Sequence, residues 1–94
     1  MKVLTERKVI EEEITEDKNE GLVKLLGQPV TFFCLNYIYT GKLSGVNTHD
    51  IKLSNPKIVY ETGAFNTKVW KDAQPLPNEI YIRLSCVESY GVVK

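Results

Sequence analysis

The chain has 94 residues, with 43% hydrophobic and 26% charged side chains; that is enough for one domain and excludes wholesale disorder. Its formal net charge is zero, far from the strong basic excess of a duplex-DNA binder. No apolar run approaches the ~20 residues of a membrane helix, and MKVLTERKVIEEEITED carries charges where a secretory leader has its apolar stretch, so the expectation is a cytoplasmic protein without a membrane partner.

Residues 1–17 alternate weakly, with Val3, Val9, Ile10 and Ile14 around the run Glu11 to Glu13. They fit a loose strand, a frayed helix or a disordered arm, and the glutamates fit a solvated face. Residues 18–26, KNEGLVKLL, predict a short helix. Leu22, Leu25 and Leu26 form one apolar stripe. Gly27 suits a left-handed end, Pro29 forbids continuation, and Asn19 or Asp17 suits the start. Such a helix is too short to stand alone, so its stripe must dock.

From Val30 onward the pattern is β. Val30 to Leu35 is apolar on both faces, as in a strand covered on both sides. Asn36-Tyr37 turns the chain, and Tyr39 to Val46 predicts a second strand. Glycines 41 and 45 mark a bend or a close backbone approach. Asn47-Thr48-His49-Asp50 is a turn. Ile51 and Leu53 open a third strand, Asn55-Pro56 predicts an edge, a bulge or a break, and Lys57 to Glu61 resumes extended structure. Residues 62–78 predict a long loop or a hairpin excursion around Phe65 and Trp70. Residues 79–87 alternate, with Ile80, Ile82, Leu84 and Cys86 against Tyr81, Arg83 and Ser85. Ser89 to Val93 is a short last strand.

Charge divides along the chain. Residues 1–20 hold four basic and seven acidic side chains, and residues 21–94 hold eight and five. An acidic arm (1–17) thus precedes a mildly basic domain (18–94). A single-strand binder manages with modest charge, because aromatic stacking supplies part of the affinity. Cys34 and Cys86 lie in apolar segments, where buried free thiols are the common case; a disulfide requires that their strands be neighbours.

The composition offers no catalytic or metal centre. Ser44, His49 and Asp50 are too close in one turn to orient one another as a triad. One histidine and two separated thiols do not make a metal-ligand set. Phosphate-loop and dinucleotide glycine patterns are missing. The expectation is a non-enzymatic protein without cofactor.

Two segments resemble a known family. Gly41-Lys42-Leu43-Ser44-Gly45-Val46-Asn47-Thr48-His49-Asp50-Ile51-Lys52-Leu53 resembles the first motif of the Sm/LSm/Hfq family. Ile82-Arg83-Leu84-Ser85-Cys86-Val87 resembles the second. In the family, Asn usually stands at the place of Asp50, and glycine follows the arginine where Leu84 stands here. The resemblance covers residues 20–93. It implies a mainly β fold, a short N-terminal helix followed by a five-stranded, strongly bent Sm-like (SH3-like) barrel. It also implies a homo-oligomeric ring, made by pairing the fourth strand of one subunit with the fifth of the next.

By the same resemblance, nucleic-acid-binding residues are Asn47, His49, Asp50 and Arg83. A base of single-stranded RNA, or of DNA, stacks on His49 with Arg83 on its other face, while Asn47 orients the loop or reads the base edge. Asp50 accepts hydrogen bonds but cannot donate them. It either shifts base preference away from uridine or pairs with Arg83. Blander readings stand beside these: His49 as a solvated turn residue, Arg83 as half of a surface ion pair, Asn47 as the acceptor of an Asx turn. The competing function is a structural protein–protein adaptor barrel.

Overall fold

The structure, a computed structural model, describes residues 20–94. The arm 1–17, its candidate caps and the first two residues of the expected helix lie outside the described residues.

The first described element is a 3-10 turn, Val23–Leu25, and not the expected helix. Gly21 precedes it with φ 73° and Gly27 follows with φ 87°; residues in left-handed geometry end a right-handed helix on both sides. The backbone beyond is already committed to the sheet, with Gly27 N–H donating to Leu43 O at 2.7 Å and Leu43 N–H to Gln28 O at 2.9 Å. The three-residue period of a 3-10 turn aligns Leu22 with Leu25 and leaves Leu26 off the stripe. Accordingly Leu22 is buried and Leu25 packs against the core, while Leu26 is 42% exposed.

Six strands, not five, follow: β1 (Pro29–Cys34), β2 (Ile38–Val46), β3 (Asp50–Glu61), β4 (Asp72–Pro75), β5 (Ile80–Arg83) and β6 (Val87–Gly91). They form one antiparallel sheet in the order β4-β3-β2-β1-β6, with β5 also paired to β3. Hydrogen bonding does not close this sheet into a complete barrel. The extra strand is β4, inside the segment expected as a loop or a hairpin excursion, and the hairpin is what forms: Glu61 pairs with Asp72, so 62–71 is the tip of a β3–β4 hairpin. The alternation at 79–87 is not one strand either, because β5 ends at Arg83 and Leu84–Cys86 form a second 3-10 turn leading into β6. Burial still alternates there, with Ile82 buried and Tyr81, Arg83 and Ser85 exposed.

The long β2–β3 pair carries two bulges. Thr40 faces Lys57 and Lys42 faces Ser54, which leaves one extra residue on β3 at Asn55-Pro56. Leu43 faces Leu53 and Gly45 faces Lys52, which leaves one extra on β2 at Ser44. Bulges bend strands and increase their twist. Asn55 adopts φ 50°, and buried Pro56 cannot donate to the ladder; its carbonyl accepts from Leu76 N–H at 2.9 Å. The Asn55-Pro56 signal is therefore a bulge within a continuous β3. The bend lets the first half of β3 carry β5 and the second half carry β4.

Leu22, Val30, Phe32, Leu43, Ile51, Leu53 and Ile82 form the core. Full burial of each large side chain stabilises by about 1.5–3 kcal/mol, so this cluster outweighs any exposed ion pair of ~0–1 kcal/mol. Two buried polar groups are satisfied within it. Thr31 Oγ1–H donates to Thr40 Oγ1 at 3.1 Å, and Thr40 Oγ1–H to Val30 O at 3.4 Å. Phe32 stacks on Tyr90, ring centroids 5.8 Å apart, joining β1 to β6.

A Cβ at Gly41 would lie 3.0 Å from Ser54 O and 3.2 Å from Pro56 Cα, both backbone atoms. Gly41→Ala is expected to destabilise the fold by about 1–3 kcal/mol in urea unfolding. Gly91→Ala, where a Cβ meets nothing within 4 Å, is expected to be neutral to about 1 kcal/mol stabilising.

Candidate nucleic-acid interface

The β2–β3 turn is built around one side chain. Asn47 Oδ1 accepts from His49 N–H at 2.8 Å and from Asp50 N–H at 2.7 Å, and Asn47 N–H donates to Asp50 O at 2.9 Å. This is the Asx-type turn open in the sequence. It commits the Asn47 acceptor to backbone, so Asn47 shapes the loop, and only its amide group stays available to a ligand. His49 is exposed at the tip.

Arg83 reaches the same place through the sheet. The β3–β5 register sets Asp50 opposite Arg83 and Ile51 opposite Ile82. Just past Arg83, Leu84 N–H donates to His49 O at 2.8 Å, which ties the turn to the end of β5. The other end of β5 is clamped. Lys52 Nζ lies 3.1 Å from Glu79 Oε1 and 5.9 Å from the Tyr81 ring centroid, and Ser54 Oγ–H donates to Glu79 Oε2 at 3.0 Å. A slip of one residue would turn Ile82 outward, so the clamp and the core agree on the register that positions Arg83.

The four sequence-predicted site residues therefore meet on one solvent-facing corner, although the first and the last are 36 positions apart in the chain. Arg83, exposed, has no ion-pair or hydrogen-bond partner through its guanidinium among the described residues, where the ion pairs are Lys52–Glu79 and Lys71–Glu61. The Asp50–Arg83 pair, one of the two alternatives open for Asp50, is thus not formed, although the two residues face one another. The guanidinium offers a planar face and five donors to a partner.

No family model matches the chain, and no curated protein matches it. Among the described residues no helix is long and apolar enough to cross a membrane.

A second feature adjoins the corner and was not singled out from the sequence. An open groove of about 400 Å³ runs from Arg83 along Tyr81 to Leu35, Tyr37, Cys34 and Cys86. Leu35 is 68% and Tyr81 67% exposed, more than strand aromatics and aliphatics that serve only a core. The signal in the sequence was the apolar Leu35 beside a turn; that β5 lies across from it was set by non-local pairing. The two cysteines, neighbours across the β1–β6 junction where Leu35 N–H donates to Cys86 O at 3.1 Å, are both free thiols.

Hydrogen bonds from Lys52 and then Ser54 hold the Glu79 carboxyl below the ordinary 4.5. NMR titration is expected to place Glu79 below a free glutamate, and Lys52→Gln to raise it. The depressed value means that the contribution of Glu79 to stability is present above its unfolded-state value and is lost as pH falls through the folded-state one. Burial, and after it the neighbouring Cys86 and Glu88, push the Cys34 thiol above its ordinary 9.0. Peptide mapping after alkylation at pH 8 is expected to show Cys34 reacting more slowly than an unstructured cysteine.

Proposed function

We propose that this protein is a non-catalytic Sm-like module that binds single-stranded nucleic acid, with RNA as the proposed ligand and DNA as the alternative, at the pore of a homo-oligomeric ring. The observation that carries the reading is the convergence of Asn47, His49, Asp50 and Arg83 on one exposed corner, with the guanidinium uncommitted. The strongly bent β2–β3 pair and the β5 to 3-10 turn to β6 ending support the finer Sm-like, SH3-like barrel reading.

The chemistry is stacking and edge reading. An unstacked base sits on the His49 imidazole with the Arg83 guanidinium on its other face, a contact of about 1–3 kcal/mol. Asn47 holds the loop in shape for it. Asp50 presents only acceptors, which favours bases with an exposed amino group over uracil. β5 is paired only with β3 and β6 only with β1 among the described residues. Each keeps an open edge, and joining β5 of one copy to β6 of the next covers both and generates a ring. The ring repeats the weak corner site and raises avidity.

The adaptor reading has one specific observation in its favour, the exposed apolar groove around Leu35, Tyr37 and Tyr81. Fluorescence anisotropy with labelled oligo-U, oligo-A and matching DNA separates the two. Binding that weakens with salt, and weakens roughly tenfold or more on Arg83→Ala, is the expected result. Asp50→Asn is expected to move base preference toward uridine. Absence of binding at low salt with every oligonucleotide would leave the adaptor.

A further inference from the structure

Positive charge is gathered on one side of this molecule. Of the eight Lys and Arg side chains in residues 21–94, five line a single groove of about 480 Å³: Lys42, Lys57, Lys68, Lys71 and Lys94. Among the described residues the only side-chain carboxylate in its lining is Asp72, and the groove also contains Trp70. It lies over the second half of β3, beyond the bulge at Asn55-Pro56. Asp50 begins β3 and Lys57 is seven residues on, so roughly 20 Å of strand separates it from the Arg83 corner.

Two of the five lysines have duties within the protein. Lys71 Nζ lies 3.7 Å from Glu61 Oε2, an exposed pair. Lys94 folds under the β3–β4 tip, where its ammonium donates to Thr62 O at 2.6 Å, Val69 O at 2.8 Å and Ala64 O at 2.9 Å. The same ammonium stands 4.7 Å from the Trp70 ring centroid and 5.6 Å from that of Phe65, and the two rings meet edge to face. Lys94 therefore fixes the tip that carries Lys68 and Trp70, and its charge stays in the groove. Lys42, Lys57 and Lys68 are exposed and have no ion-pair partner among the described residues.

Like charges held together repel one another, and nothing in the core requires these lysines on one face. A partner with regularly repeated negative charge relieves that repulsion. Trp70 narrows the choice: every base has a face that stacks on an aromatic ring, whereas a duplex keeps its bases stacked inside. We propose that this groove is a second binding surface, which tracks the phosphodiester backbone of a single-stranded nucleic acid through Lys42, Lys57 and Lys68 and presents Trp70 to a base. It extends the proposed function to a separate surface, and it stands or falls independently of the Arg83 corner.

Trp70 is the chain's one tryptophan, so its emission reports on the groove directly. The full chain is titrated with short oligo-U and oligo-dT while Trp70 emission and the anisotropy of a labelled strand are followed over a range of salt. Wild type, K42Q/K57Q/K68Q, K42R/K57R/K68R and Arg83→Ala are compared. The expected result is Trp70 quenching in wild type and, for the glutamine triple, about tenfold weaker binding with a log–log salt slope shallower by ~2. The arginine triple retains binding, which separates charge from folding. If only Arg83→Ala weakens binding, or if a strand binds without changing Trp70 emission, the groove proposal is overturned while the corner reading survives. If only the glutamine triple weakens binding, the groove stands and the corner falls. Inorganic polyphosphate that quenches Trp70 where no oligonucleotide does would overturn the nucleic-acid assignment.

Discussion

The close approach of β2 to β3 at Gly41 is the constraint on which the rest of the structure depends. A Cβ on Gly41 would press on Ser54 O and Pro56 Cα, with one bulge on β3 there and another on β2 at Ser44. Two bulges on opposite strands of one ladder bend it more sharply than twist alone. Without that bend, a twelve-residue β3 would be one long flat edge. With it, the two halves of β3 take different partners, β5 on the first and β4 on the second.

The functional geometry follows from that division. The first half brings Arg83 to the His49 turn, and the core fixes its register through Ile51 and Ile82. The second half carries the β3–β4 tip, and Lys94 holds that tip against the body through three carbonyls and two rings. One corner offers a planar cation beside a histidine; the other side offers a file of lysines with a tryptophan. The apolar groove at Leu35 and Tyr81 adjoins the first. The exposed clamp of Lys52, Glu79 and Ser54 adds little stability of its own, but it lies where register decides which way Arg83 points.

Much of the fold was legible in the sequence, because strand residues, turn residues and glycines act locally. The starts and ends of β1 and β2, the Asn47 turn and the bulge at Asn55-Pro56 follow from side chains within a few positions of each feature. The helix reading failed for a local reason of its own: the leucine spacing suits both a helix and a 3-10 turn, and Gly21 with positive φ cuts the segment to the shorter form. The alternation from Ile80 to Cys86 correctly gave the faces but not the conformation. Burial alternates in the strand and continues into the 3-10 turn that follows it.

By itself the sequence determined a mainly β domain, the strand-rich run from Val30, the shape of the Asn47–Asp50 turn, and the residue types available for a site. These rest on backbone sterics and short-range hydrogen bonds, which a few neighbouring residues specify. Only the tertiary structure decided which strand β5 joins, that Asp50 faces Arg83 without pairing to it, that β4 exists within the 62–78 excursion, and that five distant lysines share one groove. Those outcomes depend on pairing across 11 to 33 residues of chain. There, burial of the shared core chooses among registers that local pattern leaves equal.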